Sequence, residues 1–159
     1  MAKNDLLRSI RDVLNLDDTT MIQIFSQAGR TVGQSTISAM LKTEDQDEYI
    51  PCNDPIMGFF LDGLIVKKRG RRDSDTGQTP KPDTDLGNNA ILKKLRIALD
   101  LKEDDMLALM ALAGVKISKS ELSALFRNKG HKHFKECGDQ FLRNFLQGLT
   151  IRNRNSAAE

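Results

Sequence analysis

The sequence predicts an all-α protein, a tandem repeat of two similar four-helix modules packed as a pseudo-symmetric helical unit. Three observations predict it. The apolar residues are mostly Leu, Ile, Met, Ala and Phe, with no Trp and one Tyr in 159 residues, a palette that favours helix over strand. The chain matches itself without a gap when displaced by about 85 residues, pairing residues 4–69 with residues 89–154 through about 18 identities in about 66 positions. Each half then carries the same succession of apolar stripes, caps and stops.

Paired positions include Asn4/Asn89, Leu7/Leu92, Arg11/Arg96, Met21/Met106, Gly29/Gly114, Cys52/Cys137, Asp54/Asp139, Phe60/Phe145 and Gly63/Gly148. Residues 70–88, between the copies, are polar and rich in Pro and Gly, so they read as a flexible linker that cannot bury a core. Modules this small are marginal unless they pack together.

The first helix of each module is expected after Asn4 or Asn89, whose side chains suit an N-cap, and carries Leu7, Ile10, Leu14 or Leu92, Leu95, Leu99. The second starts among Asp17 and Asp18 or Asp104 and Asp105, at the positive end of the helix dipole, and stops at Gly29 or Gly114. Ser118-Lys-Ser-Glu121 has the spacing of a capping box for the third helix, whereas Gly33 and Thr36 stand in those places in the first copy and predict a weaker start. The fourth opens at Asp54 or Asp139, with Pro55 suited to a first turn, and aligns Ile56, Phe60, Leu64 or Phe141, Phe145, Leu149 on one face. Gly63 and Gly148 fall inside that helix, where glycine costs about 1 kcal/mol against alanine. Their recurrence predicts a close helix crossing.

Recurring polar residues are the next candidates. Arg11 and Arg96 sit within apolar stripes, and a buried arginine needs a partner; Asp54 and Asp139 are the natural ones, giving structural ion pairs. A ligand-binding arginine is the alternative. Cys52 and Cys137 read as small core thiols, and two cysteines cannot form a disulfide framework, which agrees with a reducing compartment. A metal is not expected: His131 and His133 lie near Cys137, but zinc normally needs about four ligands and the first copy has no histidine.

No constellation for catalysis emerges. Both histidines occupy one short basic loop, no glycine-rich phosphate loop follows a strand pattern, and no cofactor is implied. An enzyme with a site near Arg96 and Asp139 is the distant alternative. The N-terminus lacks a basic leader with an apolar run and no stretch approaches about 18 apolar residues, so a cytoplasmic, non-membrane protein is expected.

Charge separates the copies. Residues 4–69 hold 7 basic against 10 acidic side chains, net −3, and residues 89–154 hold 13 against 7, net +6. Most of the contrast lies where acidic residues 43–49 are replaced by Asn128-Lys-Gly-His-Lys-His-Phe134. Lys116, Lys119, Arg127, Lys129, Lys132 and Lys135 form the resulting basic group, able to meet phosphates or a partner's carboxylates, or to remain a solvated face. Acidic and basic loops could also attract one another between molecules or halves. Residues 21–41 resemble a helix-turn-helix, though the turn is long and Gln34 to Lys42 holds one basic residue before an acidic loop. A helical hairpin within a bundle is the simpler reading.

The segments Asn4-Asp-Leu-Leu-Arg-Ser-Ile-Arg11, Asn89-Ala-Ile-Leu-Lys-Lys-Leu-Arg96 and Cys137-Gly-Asp-Gln-Phe-Leu-Arg-Asn-Phe-Leu-Gln-Gly-Leu149 resemble the YehS-like bacterial family, across nearly the whole chain. That family is a domain-of-unknown-function group. The resemblance implies a bacterial, cytoplasmic, helical protein of two repeats and transfers no reaction or catalytic residue. The first copy departs from the last segment, with Asn53 for Gly138 and Pro55 for Gln140, so a shared binding mode would come with different ligands. The expectation is a non-catalytic binding or regulatory protein acting through an unknown protein partner or self-association. Nucleic-acid binding through the basic second module and its helix-turn-helix-like hairpin is the alternative.

Overall fold

A computed structural model describes residues 2–70 and 86–157, with the side chains of 156 and 157 left aside. All regular structure among the described residues is α-helical: α1 (Lys3–Leu14), α2 (Asp18–Gln27), α3 (Gln34–Met40) and α4 (Asp54–Arg69) in the first module, then α5 (Asn88–Ala98), α6 (Glu103–Leu112), α7 (Lys119–Leu125) and α8 (Asp139–Ala157) in the second. The chain divides into two compact units, one comprising Met1–Leu86 with Ile97–Leu99 and the other Gly87–Arg96 with Asp100–Glu159. Most of the expected linker, residues 71–85, lies outside the described residues.

Helix ends follow local chemistry in both modules. The Asp17 side chain accepts from Thr20 N at 2.8 Å to open α2, while Asp105 reaches back to Lys102 N at 2.9 Å to open α6. Each of these helices ends on a glycine at φ 81°, a left-handed position favouring a residue without Cβ. Gly29 N donates to Ser26 O and Arg30 N to Phe25 O, and Gly114 and Val115 repeat both bonds to Ala111 O and Met110 O, all at 2.9 Å. This is the two-bond ending that satisfies the last carbonyls of a helix. Ser118 Oγ accepts from Glu121 N at 3.1 Å at the start of α7, whereas Gly33 offers α3 no side-chain cap. Asn53 caps α4 through Ile56 N at 3.0 Å, with Pro55 in the first turn.

Matching positions make matching cores. Leu7/Leu92, Ile10/Leu95, Met21/Met106, Phe60/Phe145 and Leu64/Leu149 are all buried. Leu14 and Leu99, at the ends of their stripes, are half-buried. The crossing glycines lie where α4 passes α2 and α8 passes α6. A Cβ on Gly63 would fall 2.7 Å from the carbonyl carbon of Ile24, and one on Gly148 2.8 Å from that of Leu109, with the carbonyl oxygen closer still in each case. Ile24 and Leu109 are themselves a repeat pair. The expected close crossing is therefore present in both modules.

One expectation is corrected at α1 and α5. The helices start at Lys3 and Asn88, so Asn4 and Asn89 lie within the first turn and do not cap it. Their side chains reach across the module instead.

Candidate functional site

Among the described residues Asn4 is the one buried polar residue, at 4% exposure. Its amide nitrogen donates to Met40 O at 2.8 Å and Ile50 O at 2.9 Å, while its oxygen accepts from Cys52 N at 2.8 Å and from the Tyr49 hydroxyl at 3.0 Å. Asn89 repeats the first three bonds, donating to Leu125 O and Lys135 O at 2.9 Å and accepting from Cys137 N at 2.8 Å. Each asparagine fixes the segment leading into the last helix against the end of the third. Ile50 N to Ala39 O, 3.2 Å, and Lys135 N to Ala124 O, 3.0 Å, close the same arrangement.

The arginines do not pair as expected. Arg11 Nε donates to Leu16 O at 3.0 Å and its terminal nitrogen meets Asp18 at 3.0 Å; Asp54 instead takes Lys3 at 3.7 Å and Leu86 N at 3.2 Å. Arg96 Nε donates to Leu101 O at 3.0 Å with its guanidinium 4.6 Å from the Phe126 ring centre, and Asp139 accepts from Asn88 at 2.7 Å. In both modules the arginine is turned toward the end of its own helix, where Leu16 N and Leu101 N also donate to Arg11 O and Arg96 O at 3.0 Å. Local carbonyls with unsatisfied lone pairs are better placed to receive a short-range guanidinium than a carboxylate more than forty residues on. The enzyme alternative thus finds Arg96 and Asp139 in separate structural contacts.

Cys52 and Cys137 are buried, free thiols. Burial pushes the first up to about 12, with Asp54 adding to it against Lys3, and the second up to about 11, with Asp139 adding to it. Native alkylation by iodoacetamide at pH 8 is expected to run at least about 100-fold slower than in urea, because the thiolate is the nucleophile. The fold holds these protons beyond the ordinary 9.0, so the thiols' contribution to stability is full below that pH and is lost as pH climbs toward about 11. Equal alkylation rates in native and unfolded protein would contradict this assignment. Among the described residues no three His, Cys, Asp or Glu side chains are grouped as a metal ion requires. His131 Nδ1 accepts from His133 N at 3.1 Å, which orders the loop itself.

Lys116, Lys119, Arg127, Lys129, Lys132 and Lys135 are all exposed. Lys116 and Lys119 flank the start of α7, and the other four follow its end, where Arg127 donates to His133 O at 3.4 Å. Residues 28–33 separate α2 from α3, and residues 113–118 separate α6 from α7. Six-residue turns are longer than the 3–4 residues of a DNA-reading helix-turn-helix, and a helical hairpin is what forms.

Each module also opens a cleft beside its third helix that sequence gave no motif for. In the first, of about 180 Å³, Val32, Thr36 and Met40 face Ile56 and Phe59 of α4, with Phe25 and Arg30 at the end of α2. The second, of about 120 Å³, uses the equivalent Ile117, Glu121, Leu125 and Phe141, but extends toward Lys135, Glu136 and Cys137. The shared positions are 32/117, 36/121, 40/125 and 56/141. Half-burial of Ile56 and Phe141, first in the apolar face of the fourth helix, is the sequence-level trace of the opening.

A family model described as a protein of unknown function (DUF1456) matches residues 3–70 and again residues 88–155. The uncharacterized protein YehS of Escherichia coli (strain K12) is 40% identical over 152 residues, which cover 96% of each chain. No solved structure matches the chain. Among the described residues no helix is long and apolar enough to cross a membrane.

Proposed function

The chain belongs to the family of proteins of unknown function DUF1456, with the family's unit present twice, and from that premise we propose that it is a non-catalytic binding or regulatory protein acting through protein–protein contacts, each module supplying a docking cleft. The recurrence of the cleft at equivalent positions carries this reading. Clefts of about 180 and 120 Å³ are smaller than the roughly 300–1,000 Å³ of small-molecule sites and suit a single side chain of a partner. The clefts keep four equivalent positions while their linings differ, with Thr36 against Glu121, Arg30 and Phe59 in the first alone, and Lys135 and Glu136 in the second alone, so the two modules would select different segments. The two free thiols accord with a cytoplasmic setting, which forms part of the proposal.

Affinity capture from bacterial lysate tests it. Thr36→Trp and Glu121→Trp fill the two clefts at their half-buried and exposed rims. Proteins captured by the wild type, insensitive to nuclease, should be lost with the variant whose cleft they use, by about tenfold or more. A monomer by light scattering that captures nothing cleft-dependent counts against the proposal.

The exposure of all six members of the second module's basic group favours nucleic-acid binding as a second reading. It requires an affinity that falls steeply with salt, with a log–log slope of about −0.9 for each phosphate neutralised on duplex DNA. Combining Lys129→Glu, Lys132→Glu and Lys135→Glu should then lower binding to a DNA duplex by about 100-fold at low salt and flatten the slope. Absence of wild-type binding at low salt disposes of this reading.

A further inference from the structure

The cleft of the first module differs from its counterpart in one respect that bears on what enters it. Arg30 stands at its rim with the guanidinium carbon 5.1 Å from the centre of the Phe59 ring, and Phe59 is itself part of the apolar wall. The position is built in: Gly29 turns the chain left-handed and Arg30 N is tied to Phe25 O at 2.9 Å, so the arginine leaves the end of α2 in a fixed direction. Among the described residues no carboxylate pairs with it. A guanidinium laid on a ring keeps its N–H edge available for a planar, two-oxygen acceptor. The second module has Val115 and Asn144 in these two places and therefore neither the cation nor the ring.

We propose that the first-module cleft binds the C-terminal residue of a partner protein, an apolar side chain entering between Val32, Met40 and Ile56 while the free carboxylate meets Arg30. This rests on the reading of the clefts as docking sites. The cation lies against the same ring that walls the slot, so the anionic and apolar parts of the ligand must be close together. A C-terminal residue carries both on one Cα. Adjacent Asp and Leu residues inside an extended segment point to opposite sides and cannot present both to one wall. At about 180 Å³ the slot has room for one side chain of the size of Leu or Met and little more.

The test is a ¹⁵N-edited titration of the full chain with three synthetic hexapeptides: Gly-Ser-Gly-Ser-Gly-Leu with a free carboxyl, the same peptide amidated, and amidated Gly-Ser-Gly-Asp-Leu-Gly. The free acid should shift the amides of Arg30, Val32, Thr36 and Phe59 saturably and leave Val115, Ile117, Glu121 and Asn144 unmoved. Amidation, or Arg30→Gln in the protein, should each weaken binding by about tenfold or more, the loss expected for a charge-assisted pair. Arg30 is exposed, so Arg30→Gln should leave the circular dichroism spectrum unchanged. Equal binding of acid and amide overturns the carboxylate assignment yet leaves the cleft a docking site, and equal binding of the Asp peptide overturns it in favour of internal segments. No shift with any peptide overturns the inference, while the capture experiment with Thr36→Trp still decides the broader proposal on its own.

Discussion

Replacing Gly63 with alanine should destabilise the first module by about 3 kcal/mol or more, although alanine is the better helix former by about 1 kcal/mol. The new methyl would lie 2.7 Å from the carbonyl carbon of Ile24, inside van der Waals contact with backbone. A side chain in its path could rotate away. A carbonyl fixed in the backbone of α2 can yield only if α2 and α4 move apart, which opens the contact sealed by Met21, Phe60 and Leu64. Gly148→Ala should act alike in the second module through Leu109. For a module of this size the loss corresponds to a fall in melting temperature of about 12 °C or more. Gly33→Ala is the control, because a Cβ there meets nothing within 4 Å, so that the cost is only that of alanine against glycine at the N-cap of α3, about 1 kcal/mol at most. If thermal unfolding of Gly63→Ala coincides with that of the control, the crossing is not as close as described.

Asn4→Asp is the second large effect expected, again about 3 kcal/mol at neutral pH. The substitution keeps shape and acceptor, so Cys52 N and the Tyr49 hydroxyl still find an oxygen. It removes the two donors and points an oxygen at Met40 O and Ile50 O, from which the amide nitrogen stood 2.8 and 2.9 Å. Burial and the facing carbonyls both oppose ionisation, so this carboxyl should titrate above its ordinary value. A raised folded pKa gives stability at low pH that is lost as pH rises through it. The variant should accordingly tolerate urea better at pH 5 than at pH 7.5, the reverse of common acid denaturation. Asn89→Asp should cost less, since Asn89 is less buried and Phe134 replaces the tyrosine that adds a fourth bond. Wild-type urea resistance in Asn4→Asp at pH 7.5 would show the clamp to be dispensable.

The architecture was legible because helical periodicity, caps and glycine stops are local signals, and the repeat doubled each of them. Gly63 and Gly148 could be read as a crossing from their recurrence alone. Asn4 and Asn89 were misread for a definite reason: an asparagine ahead of an apolar stripe looks the same whether it caps its own helix or reaches a loop about 46 residues away. Arg11 and Arg96 erred in the opposite direction. Their recurrence promised a distant acid, and the partners were carbonyls five residues on, joined in the first module by Asp18. The basic residues were found by composition, which reports exposure well. The clefts escaped because each joins short pieces of neighbouring helices and loops, three helices in the first module and two in the second, and no local pattern marks the opening they make together.

Both clamping residues grip main chain. The bonds the two copies share run from Asn4 and Asn89 to two carbonyls and an amide, and from Arg11 and Arg96 to one carbonyl, so these shared anchor points ask nothing of the side chains borne at the gripped positions. A duplicated gene could therefore rewrite those side chains without loosening the scaffold, as Ile50 and Lys135 illustrate: one greasy and one cationic, with backbones held by the same amide. Divergence of the twin surfaces was thus open to drift and selection from the moment the copies parted.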